Sequence, residues 1–395
     1  MTGRDLTPTE RALCLTAVLS GAFGVGLTIS MATPLVSLTL ERLGHSTFVV
    51  GVAAAIYAGA ILLVGPFIPA LIHRMGPVPA LALGTALSAL ALLSIPFTAA
   101  LGLILALRFA MGIGNALEWV VSETWINALP AEGSRGRVVG LYATVWGAGI
   151  AGGPLLLTLI GTEGALPFLI AAGILAAALV PLLLARRLAP RLEKPAARGA
   201  LRSAFRAAPL AVSAAFLCGV GEGSVFSLFP IYGLASGFDS ATAVLLTSVF
   251  SAGAIALQAP IGWMADRMDR GRVLAIVALL SALCIALVAP ALELPYAVWP
   301  VLFIWGGSVA AFYTLGLILL GERFQDGDLA SANTVYILAY TIGMIVGPLV
   351  SGGAMRLWHP HGLLLALGAA SLLYALAVFR RGTEDRVAAP SAAEG

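Results

Sequence analysis

The chain has 395 residues, a net charge of +3 at neutral pH and a mean hydropathy of +0.99, with 60% hydrophobic and only 10% charged residues. About a quarter of the residues of a soluble protein are charged, so this composition excludes a soluble globular enzyme. The apolar segments run for about 20 to 28 residues, enough to cross a bilayer core of about 30 Å. Transmembrane β-strands would be shorter and would alternate in hydropathy. The sequence therefore predicts an all-α polytopic membrane protein.

Twelve apolar segments are predicted to be membrane-spanning helices. The first is too long for the apolar region of a signal peptide, so we expect it to remain as a helix. The predicted spans are 12–39, 47–72, 78–98, 101–128, 137–161, 165–187, 208–235, 240–265, 272–290, 295–321, 331–356 and 362–380.

The distribution of positive charge predicts the orientation of these spans. With both termini in the cytoplasm, 19 of the 22 Lys and Arg residues lie on the cytoplasmic side. Cytoplasmic loops carry such an excess, so we expect a multi-pass membrane protein with both termini in the cytoplasm. The net positive charge then reflects topology, and no nucleic-acid partner is expected. Cys14, Cys218 and Cys284 all lie in spans without a CxxC pattern, which is typical of small core residues.

The chain also shows signs of an internal duplication. Its longest hydrophilic segment, residues 186–206, separates six spans from six, and landmarks recur 194 positions apart, such as Pro66 and Pro260. GGP at 152–154 and VGP at 346–348 have the same offset. We therefore predict two pseudo-symmetric six-helix halves, with a linker and a disordered cytoplasmic tail. Their predicted bounds are 1–188 and 208–382 for the halves, 189–207 for the linker and 383–395 for the tail.

Three motifs resemble those of the major facilitator superfamily. The loop GWMADRMDRGR (262–272) is similar to the family's cytoplasmic motif, and Arg108 is followed by glycines as in the family's fourth span. The first-half loop departs from the motif, with His73 in place of Asp. The resemblance implies the twelve-helix fold and secondary transport in the bacterial inner membrane, in the branch of the drug:proton antiporters or in a poorly characterised bacterial subgroup near it. The third motif is the glycine–proline pattern of span five, which span eleven repeats and which the family's antiporters share. We expect these residues to let the helices bend: Gly149, Gly153, Pro154, Gly343, Gly347 and Pro348.

The fourth span carries an unusual number of polar residues. At about 100° per residue, Arg108, Asn115, Glu118 and Glu123 fall within one sector of about 140°. A polar stripe of this kind faces protein or water rather than lipid. Arg108 either binds an anionic group or holds the bundle together, and Glu118 is either a proton carrier or a structural hydrogen-bonding group. Glu123 is expected to form a cytoplasmic gate ion pair, with Arg74 or Arg137.

Glu222 is the strongest candidate for a proton carrier. It lies near the middle of span seven, which contains no basic residue. A carboxyl group buried without a cation favours its neutral form, so it can take up and release protons. The alternative is a permanently protonated side chain bonded to a neighbouring helix. We predict that proton coupling involves Glu222, Glu118 and Arg108.

Residues on the inner faces of several spans predict a cavity that is aromatic with few polar groups. Such a lining suits a small, largely apolar or aromatic organic compound better than a sugar. The predicted cavity residues are Arg108, Asn115, Trp119, Tyr142, Trp146, Phe226, Phe229, Gln258, Trp305, Phe312, Tyr336 and Tyr340. The predicted cytoplasmic gate comprises Glu123, Arg74, Asp266, Arg267 and Arg270.

The leading hypothesis is therefore a monomeric, proton-coupled exporter that works by alternating access. No phosphate-binding loop or nucleophile–base pair is present in the sequence, so we expect neither enzymatic activity nor a cofactor. Span seven contains no Met or His, and the four histidines lie in loops or at span ends, so no metal is expected. Two alternatives stay open. The protein could import an organic anion by proton symport, or it could be a membrane scaffold or sensor that transports nothing.

Overall fold

The computed structural model describes residues 7–128, 135–188, 208–294, 296–324 and 326–388. Within these residues the chain is helical, with short 3-10 turns at 65–67, 95–97 and 186–188. The α-helices, numbered α1 to α14, are Pro8–Arg42, Thr47–Val64, Ile68–Met75, Pro77–Ser94, Leu101–Ala128, Arg135–Ile160, Leu166–Leu184, Pro209–Ala235, Ser240–Ala256, Gln258–Arg267, Arg270–Leu292, Val298–Arg323, Asp326–Leu357 and Gly362–Ala388.

These helices provide twelve segments that are long and apolar enough to cross a membrane, which confirms the predicted all-α architecture. Two of the segments each combine two helices. Helices α2 and α3 are joined through the 3-10 turn that contains Pro66, and α9 and α10 are joined at Leu257. Pro154 and Pro348, by contrast, lie inside the continuous helices α6 and α13.

Polar side chains define where several helices begin. Thr7 and Glu10 form a capping box at the start of α1, in which the Glu10 backbone N–H donates to the Thr7 hydroxyl at 3.2 Å. Asp239 precedes α9 and accepts from the backbone N–H of Ala241 at 3.1 Å. A side-chain acceptor at this position satisfies one of the N–H groups that a helix leaves unpaired. The hydroxyl of Thr242 and nearby backbone N–H groups also lower the pKa of Asp239.

The chain divides into two compact units, one drawn from residues 1–197 and 225–248 and the other from 198–224 and 249–395. In the first, α1 packs against α6 and α7, and α4 packs against α5. In the second, α11 packs against α12 and α14. The bounds predicted for the two halves and the linker stay a prediction.

The duplication is visible in how glycines pack within each unit. A Cβ atom on Gly149 of α6 would lie 2.6 Å from the Phe23 carbonyl oxygen of α1. The position 194 residues later, Gly343 of α13, has the same relation to Phe216 of α8, at 2.1 Å. Such glycines let two helix backbones approach closely. Gly153 and Gly347 also approach other helices closely, so the four glycines among the predicted bending positions lie at helix–helix contacts within their own units.

Candidate transport site

Arg108 lines a cavity within the first unit. The cavity lies among α1, α2, α4, α5 and α7, and its lining combines aliphatic with polar side chains. It is lined by Val25, Thr28, Ile29, Ala32, Thr33, Tyr57, Ser88, Leu92, Arg108, Met111, Asn115, Glu118 and Leu175.

The Arg108 guanidinium is only 2% exposed and stacks on an aromatic ring of α2. Its Cζ atom lies 4.5 Å from the centroid of the Tyr57 ring, a cation–π contact. A Cβ atom on Gly112 would lie 2.3 Å from the Tyr57 carbonyl oxygen, so this glycine allows α2 and α5 to come close enough for the contact. Within the described residues, Nε and Nη1 of Arg108 have no hydrogen-bond partner.

Asn115 and Glu118 lie further along the same helix, at 5% and 1% exposure. Thr85 of α4 hydrogen-bonds to the Glu118 carboxyl group. In the described part of the chain, Asn115 Nδ2 and Glu118 Oε1 lack a partner. Helices α4 and α5 are in backbone contact here, since a Cβ atom on Gly114 would lie 2.5 Å from a carbonyl oxygen of α4. The cavity therefore presents unpaired donors and one unpaired acceptor.

The cavity is narrow in this conformation. Its volume is about 20 Å³, and roughly 10–15 Å³ is enough for one water molecule. An organic molecule could enter only if the surrounding helices moved apart.

The second unit contains a cavity at the corresponding place in the repeat. Its volume is about 10 Å³, and it is lined on α12 by Trp305, Val309 and Phe312. These positions lie 194 residues after Met111, Asn115 and Glu118 of the first cavity. The position equivalent to Arg108 is Leu302. The polar groups of the first cavity are thus a departure from the repeat, because the second cavity has apolar side chains at the same places.

Glu222 lies in the second unit and is held by partners from two helices. The Tyr340 hydroxyl of α13 donates to Glu222 Oε2 at 2.5 Å. The thiol of Cys218, one turn earlier on α8, hydrogen-bonds to the same carboxyl group. A Cβ atom on Gly219 would lie 2.0 Å from the Tyr340 carbonyl oxygen, so α8 and α13 meet closely beside this carboxyl group. The described residues include no ion-pair partner for Glu222.

The sequence matches the family model of the Major Facilitator Superfamily over residues 18–246 and 211–395. The chain belongs to the major facilitator superfamily. It is 26% identical over 344 residues to the uncharacterized MFS-type transporter YfkF of Bacillus subtilis, covering 86% of this chain and 88% of that protein. It is 28% identical over 367 residues to the uncharacterized MFS-type transporter YcaD of Shigella flexneri, covering 92% of this chain and 94% of that protein.

The fold is also that of solved transporters. A mutant of the nucleoside transporter NupG superposes with a TM-score of 0.80 at 14% sequence identity, covering 93% of this chain and 99% of that one. A bacterial homologue of the lysosomal transporter Spinster has a TM-score of 0.76 at 16% identity, covering 96% and 99%. The protein is therefore a multi-pass membrane transporter of this superfamily.

The structure distributes the predicted cavity residues of this superfamily transporter among several places. Trp119 and Trp146 stack with ring centroids 6.5 Å apart, and their repeat equivalents Tyr313 and Tyr340 meet edge to face at 5.5 Å. Tyr142 and Phe229 are buried. The others lie elsewhere: Trp305 and Phe312 in the second cavity, Tyr336 bonded to the Tyr313 carbonyl, Gln258 bonded to Thr314, and Phe226 partly buried on α8. One cavity shared by all of them stays a prediction.

The predicted gate residues are mostly at the surface. Arg74 and Glu123 are exposed, and Trp119 hydrogen-bonds to the Glu123 carboxyl group. Asp266 and Arg267 are also exposed, and the Arg267 guanidinium lies 3.9 Å from the centroid of the Trp263 ring. The remaining member, Arg270, forms an ion pair with Glu322. The side chain of Arg137 lies outside the described residues.

Three neighbours of the candidate proton carriers were not predicted from the sequence. Tyr57 lies among small and aliphatic residues near the middle of its span, and this position was its only signal. Thr85 and Cys218 are residue types common in any membrane helix, so nothing in the sequence distinguishes them. Their roles depend on contacts between helices that lie far apart along the chain.

Proposed function

We propose that this superfamily member is a proton-coupled exporter of small, largely apolar or aromatic organic compounds that works by alternating access in the bacterial inner membrane. The observation that carries this proposal is the surroundings of Glu222. A carboxyl group held by a tyrosine hydroxyl and a thiol, with no ion-pair partner among the described residues, can exist in either protonation state without leaving a buried cation unpaired.

The carboxyl group of Glu222 would take up a proton on one side of the membrane and release it on the other. Because a buried charge is costly, protonation changes which conformations of the surrounding helices are favourable. The proton gradient can then drive substrate in the opposite direction. The glycine pattern of α6 and α13 supports antiport by its resemblance to drug:proton antiporters.

Replacement of Glu222 by glutamine tests the proposal. Compounds that raise the unfolding temperature of the purified protein are selected from a metabolite and drug library, and their pH-driven transport is measured in proteoliposomes. We expect Glu222→Gln to abolish pH-driven transport while the thermal shift by the same compounds is retained, since glutamine keeps the shape but cannot titrate.

Glu293→Gln is the matched control, because Glu293 is an exposed carboxylate at the end of α11. This variant should transport at the wild-type rate. Wild-type transport by Glu222→Gln, or transport by the unmodified protein that ignores the pH gradient, would contradict the proposal.

A further inference from the structure

The unpaired groups of the first cavity specify a ligand by their chemistry. Three nitrogen atoms, Arg108 Nε, Arg108 Nη1 and Asn115 Nδ2, are hydrogen-bond donors without described partners. The described part of this cavity contains one unpaired acceptor, Glu118 Oε1. All three side chains are more than nine-tenths buried and line one cavity. Unpaired buried donors are costly, and those of a guanidinium especially so.

From this surplus of donors we infer that the first cavity binds the oxyanion group of a small organic anion, through Arg108 and Asn115. The anionic oxygens accept from the unpaired N–H groups, while the aliphatic wall formed by residues such as Ile29, Leu92 and Leu175 covers the apolar body. Binding of an organic anion would name the substrate class of the proposed transporter. It rests on the proposed function in one respect, that the bound anion is taken to be the transported compound.

The second cavity shows that the fold does not require these polar groups. It has the same place in the repeat, yet Val309 and Phe312 stand where the first cavity has Asn115 and Glu118. A purely structural arginine would be expected to have its donors paired, for example with carbonyl oxygens. Arg108 is instead held from one side, by the face of the Tyr57 ring, which leaves N–H groups available.

Glu118 gives the site a second property. Glu118 is the only acidic residue among the described residues that line the cavity. The other titratable or charged groups there are Tyr57 and Arg108, and the lining residues from α1, α4 and α7 are uncharged. An ionised Glu118 repels a bound anion, whereas Arg108 attracts it. Neutralising either residue should therefore change anion affinity in opposite directions, which a purely structural role would not produce.

Equilibrium titration of the purified protein, without any gradient, tests the inference. The probes are benzoate, benzyl alcohol and benzylamine, which share a ring and differ in charge, and binding is read by calorimetry and by thermal shift. We expect benzoate to bind and the other two to bind at least about tenfold more weakly, because only benzoate offers a charged acceptor to the unpaired N–H groups. Chloride at the same ionic strength distinguishes an inorganic anion site from a site for an organic oxyanion.

The repeat supplies variants compatible with the fold. Arg108→Leu and Asn115→Val introduce the residues found at the equivalent positions of the second unit. We expect the first to weaken benzoate binding at least about tenfold and the second about threefold to tenfold. Glu118→Gln should tighten binding. Ser281→Ala, which changes a residue lining the second cavity, is the control and should leave the affinity unchanged.

Benzoate affinity that survives both Arg108→Leu and Asn115→Val would overturn the inference. It would also be overturned if benzyl alcohol or chloride reproduced the benzoate response, or if the wild-type protein bound no benzoate. If Arg108→Leu fails to fold, Asn115→Val and Glu118→Gln still decide the question. Failure of this binding test leaves proton-driven transport through Glu222 unaffected, and loss of transport in Glu222→Gln leaves benzoate binding unaffected, so the two proposals fail separately.

Discussion

Two intramembrane carboxyl groups, the buried Glu118 and the partly buried Glu222, differ most in the side chains that surround them. Glu118 receives a hydrogen bond from Thr85 and shares its cavity with a guanidinium, whereas Glu222 is held by the hydroxyl of Tyr340 and the thiol of Cys218. We assign Glu222 the coupling role because protonation of Glu118 would remove the negative charge that shares a cavity with the Arg108 guanidinium, whereas the described residues give Glu222 no ion-pair partner. In this assignment Tyr340 is a positioning residue, which orients the carboxyl group of Glu222 through the hydrogen bond to Oε2.

Tyr340→Phe tests this role, since it removes one hydroxyl and keeps the ring that packs against Tyr313. We expect proton-driven transport to fall about tenfold, in line with the roughly 1.5–3 kcal/mol of a hydrogen bond to a charged group. Exchange of labelled for unlabelled substrate at equal pH should stay at the wild-type rate, because no net proton transfer is needed. Equal losses in both assays would instead indicate a structural role. Tyr313→Phe, which keeps the ring pair, is the matched control.

At the scale of helices, small residues determine which pairs of helices come into contact. Gly149 and Gly153 of α6 face α1, and Gly343 and Gly347 of α13 face α8, 194 positions later. The Ser30 hydroxyl contacts the Gly149 carbonyl oxygen at 3.3 Å, and its repeat equivalent Ser224 contacts Ser351 at 3.0 Å. At each of these glycines the nearest atoms include backbone, which cannot yield as a flexible side chain can.

Gly153→Ala should therefore destabilise the protein. The added Cβ atom would lie 2.6 Å from the Leu27 carbonyl oxygen, and overpacking of this kind costs about 1–3 kcal/mol. Thermal unfolding can be followed with a thiol-reactive dye, because Cys14, Cys218 and Cys284 are buried.

Gly173→Ala is the control for this substitution. Gly173 lies in α7, and no atom of the described residues lies within 4 Å of the position that its Cβ atom would take, so alanine adds helix propensity without a clash. It should unfold at or above the wild-type temperature. An unchanged unfolding temperature for Gly153→Ala would show that α1 and α6 can separate more readily than their packing indicates.

At the scale of the whole molecule, hydropathy and the repeat predicted most of the architecture. Twelve spans follow from the length of the apolar segments, and the offset of 194 residues reappears in the packing of the glycines and in the paired cavities. Side-chain partners could not be predicted in this way. The stacking of Arg108 on Tyr57 and the bond between Tyr340 and Glu222 join different helices, and periodicity along one helix carries no information about its neighbour.

Because periodicity describes one helix at a time, it also could not establish whether the predicted aromatic residues share one cavity. Inner-face periodicity selected Trp305, Phe312 and Tyr336, and all three are buried. It could not distinguish a residue that packs between helices from one that lines a binding site, because both lie on the same face. The difference between the two units separates these cases. The first unit has charged side chains at Arg108 and Glu118, and the second unit has apolar side chains at the equivalent positions.

Coupled proton movement tests the central claim most directly. Proteoliposomes that enclose a pH-sensitive dye are loaded with a membrane-impermeant compound selected by thermal shift, then diluted into compound-free buffer at the same pH. Proton antiport predicts that the interior becomes more acidic as the compound leaves, and that Glu222→Gln abolishes this change. An interior that becomes more alkaline would indicate symport, and efflux of the compound with no change in internal pH would contradict proton coupling.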